Sequence, residues 1–477
     1  MSVRYVSTRG GAPAAGFLDA VLAGLAPDGG LYFPESWPSD LDSAEFRRAC
    51  AIHGFPFAVR FVLAAFAGDE LTDDEIGRLV VEAYLSEGEA GERAFDSLAI
   101  TPLRQHAPGD WLLELFHGPS LAFKDIAMRL IGPLYDLALT KRDERLSVIC
   151  ATSGDTGGAA VEALKGRERI DLFVLTPKGR VSDVQRRFMT SSGAANVHTL
   201  ELDADFDACQ AILKQMFADA EFASRARLSG VNSINWTRIL AQSAYFHAAA
   251  NALSAGGVVH FAVPTGNFGD AFAGYIAKKM GAPVGTLLIA TNANDILSRA
   301  LTNGRYERGA ASHATLSPAM DIQVASNFER LVYDVTDAET TKALFASFAQ
   351  SGGFDLPPAA LEKIRAQFVS ASVSDDETLE EMENFWDEGR GMIVCPHTAV
   401  ALAAAGKAAL TADAPLVTLA TAHPAKFPET VEKATGVRPA LPARVSDLFQ
   451  REERVTAMAA DVEAVKEFVR TRSRAWG

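Results

Sequence analysis

The pattern of apolar positions changes near residue 100. Before that point apolar residues recur at helical spacing, as in Phe17, Val21, Leu22 and Leu25, which predicts a mostly helical N-terminal region. From Trp111 onward, short runs of β-branched and aromatic residues alternate with helical segments. Strands that alternate with helices indicate mostly parallel sheets covered by helices, so we predict an α/β fold.

Three predicted strands each end in a turn that is rich in glycine or hydroxyl residues. The strands and their turns are Leu146–Cys150 with Ser153–Gly157, Val258–Val263 with Thr265–Gly269, and Leu416–Ala420 with Thr421. Open α/β sheets bind ligands beyond the carboxyl ends of their strands. These three turns are therefore candidate binding sites.

We predict three regions along the chain. Residues 1–100 form the mostly helical N-terminal region, and residues 101–235 form a smaller α/β domain with the Lys124 helix and the Ser153–Gly157 turn. Residues 236–477 form a larger α/β domain with the Thr265–Gly269 turn. Within it, residues from about 300 to 390 are rich in charge and turn residues, which predicts a peripheral insertion, and a helix near the C-terminus is expected to end around Arg470.

One lysine has an unusual position. Lys124 follows a Gly118-Pro119 turn, lies among apolar residues, and stands where a helical pattern begins. The helix dipole disfavours an ammonium group at a helix N-terminus. A solvated surface lysine is one interpretation; the other is an amine with a depressed pKa that acts as a Schiff-base nucleophile and later as a general base.

The glycine turns suit anions. Thr265–Gly269 opens a helix, so its free amides and the helix dipole could hold a phosphate, although a tight turn that only packs well fits the spacing equally. It matches neither the P-loop nor the dinucleotide fingerprint. Ser153–Gly157 also opens a helix and suits a carboxylate or a second phosphate, with Ser153 or Asp155 as a simple N-cap as the alternative.

Composition excludes several classes of function. The net charge of −15 argues against binding of nucleic acid or anionic membranes. The four cysteines form no C-x-x-C pair, so we expect no structural zinc site, no disulfides and a reducing cytoplasm. We find no secretory signal and no uninterrupted apolar run of the roughly 18 residues that a membrane span needs. No residue spacing points to a metal site.

A single cofactor explains these features together. A Schiff-base lysine, a phosphate seat, a carboxylate seat and a hydroxyl beyond a strand are what pyridoxal phosphate requires. The segment His117–Asp125 closely resembles the cofactor-lysine motif of threonine synthases, which are pyridoxal-phosphate enzymes of the tryptophan-synthase-β fold group. Further segments resemble the longer microbial and fungal branch in the same order: Ser7–Gly10, Leu25–Pro34, Thr152–Gly157, Ser233–Ile239, Val263–Asp270, Ser317–Arg330 and Thr421–Phe427. Ser120 stands where the family more often has threonine, and residues 335–390 and those after about 430 match poorly.

The resemblance implies fold type II and the conversion of O-phospho-L-homoserine and water to L-threonine and phosphate. By position, Lys124 would form the Schiff base with the cofactor and move protons at Cα and Cβ. Five residues would hold the cofactor phosphate: Thr265, Gly266, Asn267, Phe268 and Gly269. Thr421 would hydrogen-bond the pyridine nitrogen.

Substrate binding is expected from residues near these motifs. Ser153 and Thr156 are predicted to bind the substrate carboxylate, and Asp155 lies in the same loop with an open role. Arg238 and Lys426 are predicted to bind the substrate's anionic groups, with solvated surface charges as the equal alternative. The second choices are Lys178, Arg186 and Arg187.

Two other functions remain open from the sequence. The same fold could stop after elimination, as a phospho-lyase or a serine/threonine dehydratase that releases a 2-ketoacid. The second alternative is a homologue that has lost catalytic activity and only binds or regulates. We expect a monomer or a homodimer.

Overall fold

The protein is described by a computed structural model that covers residues 3–38, 41, 43–87, 93–387, 392–408, 410 and 413–477. In these residues the strands form two large sheets and two small pairs. The six-stranded sheet has the order β13-β10-β9-β14-β4-β3, and the five-stranded sheet has the order β15-β7-β6-β5-β8. The strands are β1 Tyr5–Ser7, β2 Tyr32–Pro34, β3 Leu103–Ala107, β4 Asp110–Glu114, β5 Leu146–Ala151, β6 Ile170–Pro177, β7 Val197–Leu202, β8 Leu228–Gly230, β9 Val259–Pro264, β10 Val284–Thr291, β11 Arg305–Glu307, β12 Gly353–Asp355, β13 Phe368–Ser372, β14 Leu416–Ala420 and β15 Thr456–Met458.

Helices cover both large sheets. They are α1 Phe17–Ala23, α2 Ala44–Ala67, α3 Asp73–Val80, α4 Lys124–Arg142, α5 Asp155–Leu164, α6 Asp183–Thr190, α7 Phe206–Ala218, α8 Ala220–Arg225, α9 Trp236–Leu253, α10 Gly269–Lys279, α11 Ile296–Asn303, α12 Phe328–Val335, α13 Ala338–Ser351, α14 Pro358–Arg365, α15 Asp375–Asp387, α16 Pro396–Lys407, α17 Pro428–Thr435 and α18 Val462–Arg472. All pairings within the six-stranded sheet are parallel except that of β3 with β4. The predicted α/β fold with mostly parallel sheets is confirmed.

The central strands are apolar on both faces because helices lie on both sides. Along β9, Phe261 and Val263 pack into the core cluster that includes residues of α9 and α10, such as Phe246 and Ile276. Ala262, between them, packs on the other face with residues of α16. Strands buried on both faces read as continuous apolar runs rather than as an alternation, which is the pattern seen in the sequence.

The N-terminal region is helical with one short β pair. Strands β1 and β2 pair antiparallel, which the helical pattern did not predict. Helix α2 is kinked at Gly54, where φ is 65°. Among the described residues, the segment Ala44–Glu70 is long and apolar enough to cross a membrane by length and composition alone. Its buried residues, such as Val59 and Phe66, belong to the main core cluster.

The chain passes between the two large sheets more often than the predicted division suggests. Strand β4 precedes the Lys124 helix but lies in the six-stranded sheet beside β14. Strand β13 falls within the predicted peripheral insertion and yet pairs with β10 at the edge of that sheet. Near the C-terminus, β15 pairs with β7 of the other sheet. Local periodicity does not encode which sheet a strand joins, because that choice depends on distant partners.

Candidate active site

Three neighbouring parallel strands end at the site. Strands β9, β14 and β4 are adjacent, and they lead into Thr265, Thr421 and the loop before Lys124 respectively. The last two segments are joined directly, since the Phe123 amide donates to the Thr421 carbonyl at 2.8 Å. Segments far apart in sequence thus meet at one sheet edge, which is where open α/β sheets bind ligands.

Lys124 is the first residue of α4, as expected, and its side chain is only 12% exposed. The preceding loop is held by Asp125, whose carboxylate accepts hydrogen bonds from the amide of Ser120 at 2.8 Å and from its hydroxyl at 2.6 Å. Leu121 has a φ of 63°, a left-handed conformation that is strained for a branched side chain. Burial lowers the pKa of Lys124, Asp155 opposes this, and Arg238 lowers the pKa further. The solvated interpretation of Lys124 is wrong.

The turn Thr265–Gly269 offers free donors. Across the described residues, the amides of Gly266, Asn267, Phe268 and Gly269 donate to no other group of the protein. The Asn267 carbonyl accepts from the Asn327 amide at 3.0 Å, which fixes the turn from outside. A side chain at Gly266 would lie 2.9 Å from the Ala319 carbonyl, so only glycine fits there. Unused amides at the start of α10 suit a phosphate.

The turn between β5 and α5 carries three hydroxyl residues, Thr152, Ser153 and Thr156. The Thr152 hydroxyl accepts hydrogen bonds from the amides of Gly154 at 2.9 Å and Gly157 at 3.0 Å, which shapes the turn from within. Ser153 and Thr156 are half-buried, whereas Asp155 is buried. The N-cap of α5 is Gly154, without a side-chain cap, so the simple N-cap interpretation of Ser153 or Asp155 is wrong.

Asp155 connects the two lysines of the site. Its carboxylate lies 3.3 Å from the Lys124 ammonium and 2.7 Å from the Lys426 ammonium. Gln185 donates to the same carboxylate at 3.0 Å. Burial would raise the pKa of Asp155, but Lys426 and Lys124 lower it well below its usual value. The carboxylate is therefore ionised. Asp155 and Lys426, both predicted to bind substrate, form an ion pair with each other.

Arg238 is a buried cation with unused hydrogen-bonding capacity. Its side chain donates to the Val231 carbonyl at 3.4 Å, and its Nε has no partner in the described part of the chain. Burial lowers the pKa of Arg238 to about 10. Next to it, Tyr245 donates to Asp270, the residue that follows Gly269. The second Asp270 oxygen is buried and has no partner among the described residues.

We predict that Asp270 makes stability depend on pH. Burial raises the pKa of Asp270 from 3.8 to about 7, partly offset by Tyr245 and Arg238. A pKa that is higher in the folded state contributes stability that is full below about pH 4 and lost as the pH rises to about 7. The thermal midpoint of Asp270→Asn should therefore change less between pH 5 and pH 7.5 than that of the parent. The exposed Asp203→Asn should keep the parent's dependence, and equal pH profiles for parent and Asp270→Asn would contradict the assignment.

The structure also shows where the remaining predicted bases lie. Arg186 and Arg187 both pair with Glu453 of the C-terminal tail, and Lys178 is exposed, so these second choices are not gathered with Lys124.

Gln185 and His397 contribute to the site and were not predicted. Burial lowers the pKa of His397 to about 4, and its Nε2 accepts from the Ala319 amide at 3.1 Å. Neither residue lies in a spacing that the sequence could reveal, since each reaches the site from a separate helix.

The residues present fit pyridoxal phosphate. The buried Lys124 amine can bond an aldehyde, and the unused amides of residues 266–269 can hold a phosphate. Among the described residues, no group of His, Cys, Asp and Glu side chains could hold a metal ion. A buried lysine amine and a glycine-rich turn of unused amides, at one edge of a mostly parallel sheet, are features of a pyridoxal-phosphate-dependent enzyme of fold type II.

Comparison with known proteins gives the family. Residues 4–84 match "Threonine synthase N terminus", residues 98–422 match "Pyridoxal-phosphate dependent enzyme", and residues 398–469 match "Threonine synthase, C-terminal". The chain belongs to the threonine synthase family. The last match includes most of the tail after residue 430, which had shown little resemblance in the sequence.

Relatives cover nearly the whole chain. The threonine synthase of Pseudomonas aeruginosa is 44% identical over 98% of both chains, and that of Saccharomyces cerevisiae is 37% identical over 97% of this chain and 96% of its own. A pyridoxal-phosphate-bound threonine synthase structure from Brucella melitensis is 48% identical with a TM-score of 0.93, covering 99% of this chain and 100% of its own. The Escherichia coli enzyme structure is 30% identical with a TM-score of 0.82, covering 98% and 99%. The expected cofactor is confirmed as pyridoxal phosphate.

Proposed function

We propose that the protein converts O-phospho-L-homoserine and water to L-threonine and inorganic phosphate. The observation that carries the proposal is the buried Lys124 amine, which lies 3.3 Å from Asp155 of the Ser153–Gly157 turn at the sheet edge where β9, β14 and β4 end. The names of the relatives support the same reaction. When bound, pyridoxal phosphate supplies an electron sink for negative charge that develops on substrate carbon atoms.

The chain's own residues would hold the cofactor at three places. Lys124 bonds its aldehyde, the amides of the Thr265–Gly269 turn hold its phosphate, and Thr421 hydrogen-bonds its ring nitrogen. A neutral hydroxyl does not force a proton onto that nitrogen, as a carboxylate would. Charge stabilisation then depends more on positioned groups near Lys124.

Substrate binding and proton transfer follow from the same arrangement. The half-buried Ser153 and Thr156 hydroxyls and the start of α5 would bind the substrate carboxylate. The Lys124 amine would take protons from Cα and Cβ as phosphate leaves Cγ. Protons would then return to Cγ and to Cα, and the hydroxide part of water would add at Cβ while its remaining proton goes to the released phosphate. Burial of the site excludes competing reactions with bulk water.

Arg238 is the proposed contact for the substrate phosphate. Its buried guanidinium has an unpartnered Nε in the described part of the chain and is well suited to a dianion. We expect Arg238→Ala to raise KM for O-phospho-L-homoserine by about 10-fold or more, because a hydrogen bond to a charged group contributes about 1.5–3 kcal/mol. The visible absorbance of the bound cofactor should stay intact. Arg238→Lys, which keeps the charge, should recover part of the KM, and an unchanged KM in Arg238→Ala would remove the residue from the phosphate site.

The experiment for the function itself is product analysis. Purified protein is incubated with O-phospho-L-homoserine, and threonine, phosphate and 2-ketobutyrate are measured together. Threonine and phosphate in equal amounts support the proposal. Phosphate with 2-ketobutyrate would instead indicate elimination without water addition, and no product with normal cofactor absorbance would indicate a homologue without this activity.

We further propose that the protein works in the cytoplasm as a monomer or homodimer. The four cysteines, Cys50, Cys150, Cys209 and Cys395, are all buried free thiols, which fits a reducing compartment.

A further inference from the structure

One carboxylate in the site is shared between two buried ammonium groups. Asp155 uses one oxygen for Lys426, at 2.7 Å, and the other for Lys124, at 3.3 Å. The side chains of Asp155 and Lys426 are 5% and 1% exposed. Removing a buried ion from water is costly unless it is paired. Each buried charge therefore needs the other, because loss of either partner would leave an unpaired charge in the interior.

Lys426 is fixed in place by a second contact. Its ammonium donates to the Ser120 carbonyl at 2.8 Å, and it lies over the ring of Phe188 at 5.6 Å. It belongs to the short turn Pro424–Lys426, a few residues after Thr421. The main chain around Ser120 in turn leads into Lys124. Lys426 is thus bound to the loop of the reacting lysine and to its counter-ion.

The titratable groups that face the Lys124 nitrogen come from four other parts of the fold. They are Asp155 on α5, Lys426 after β14, Arg238 on α9 and His397 on α16. Burial lowers the pKa of His397 to about 4, so this imidazole is neutral. Asp155 is then the one anion facing three cations in this group of residues.

These charges act on Lys124 in opposite directions. Burial lowers the pKa of the Lys124 amine, Asp155 raises it, and Arg238 and Lys426 lower it. Asp155 is therefore the group that favours a proton on this nitrogen, and Lys426 is a group that opposes it. Gln185, which donates to Asp155 at 3.0 Å, adds a neutral support to the carboxylate.

We propose that Asp155 and Lys426 are a positioning pair that sets the charge of the Lys124 nitrogen. Asp155 holds a proton on that nitrogen, and Lys426, which is paired to the same carboxylate, opposes that proton and so limits the effect of Asp155. The inference rests on the proposed function, in which Lys124 is the reacting amine. It assigns Lys426 to the electrostatics of Lys124 and leaves the substrate phosphate to Arg238.

The test is a pH titration of the holoenzyme, followed by the visible absorbance of the bound pyridoxal phosphate, which reports the protonation of the Lys124 nitrogen. The variants are Asp155→Asn and Lys426→Gln. An opposite charge within about 4–6 Å shifts a pKa by about 1–3 units. We expect the midpoint to fall by about one pH unit or more in Asp155→Asn and to rise by a similar amount in Lys426→Gln.

The opposite signs separate charge from structure, because general damage to the site would move both midpoints the same way. Asp155→Glu, which keeps the carboxylate, should restore most of the parent midpoint. Lys165→Gln, which breaks an exposed pair with Glu162 on the same helix as Asp155, should leave the midpoint unchanged. Should Asp155→Asn fail to fold, Lys426→Gln decides alone: an upward shift supports the pair, and no shift or a downward shift overturns it.

The titration is independent of product formation. Shifts of opposite sign in a protein that makes no threonine would overturn the proposed function and leave the pair in place. Threonine formation with unshifted midpoints in both variants would overturn the pair and leave the function in place.

Discussion

Lys124→Ala should lower the rate of threonine and phosphate formation by about 10³-fold or more. The residue is asked to serve as nucleophile and as proton carrier, and proton transfer by a positioned group alone contributes about 10²–10⁴-fold. Alanine is the best helix former, and Lys124 is the first residue of α4, so the fold should persist. The loss should therefore appear in turnover, with an unchanged circular-dichroism spectrum and without the visible absorbance of a Schiff base.

Lys141→Ala is the matched control for this change. Lys141 is an exposed lysine in the last turn of the same helix, where it pairs with Glu75. Exposed pairs contribute about 1 kcal/mol or less, so activity should remain near that of the parent. Full activity in Lys124→Ala would refute the assigned role of the residue.

Gly154→Ala should lower kcat/KM by about 100-fold. Gly154 has a φ of 137°, which side chains rarely adopt, and an added Cβ would lie 2.5 Å from the Gln185 side chain. Relief of this clash moves the turn that presents Ser153 and Thr156 and disturbs the Gln185 contact with Asp155. A misplacement of about 1 Å in a positioning element can cost about 10²-fold. The measurement is kcat/KM with O-phospho-L-homoserine.

Gly166→Ala is the control because it separates backbone strain from crowding. Gly166 follows the same helix and has a φ of 77°, but an added Cβ would meet nothing within 4 Å. It should therefore lower stability slightly while kcat/KM stays near the parent value. Equal kcat/KM values for Gly154→Ala and the parent would show that the turn does not position the substrate.

Much of the site could be found from local sequence because its parts are turns at strand ends. Lys124 at a helix start, the glycines of 265–269 and the hydroxyls of 153–157 each need a specific backbone conformation. Glycine, proline and small polar residues favour such conformations, so the local sequence predicts these turns. The local sequence does not predict which distant residues contact the turns. Gln185 and His397 lie on helices whose local patterns show only burial, and their contacts with Asp155 and with the Ala319 amide join segments far apart in sequence.

The sequence by itself determined the fold class and the family, and it predicted the cofactor lysine and the phosphate seat, because each depends on short stretches with their own conformational demand. Only the tertiary structure decided which strands share a sheet and which charges face Lys124. Strand β13 joins the central sheet from within a segment that resembled an insertion. Lys426, which the sequence predicted as a base that binds the substrate's anionic groups, is paired with Asp155 at 2.7 Å. Burial and long-range pairing decide such contacts, and neither is a property of a local stretch of chain.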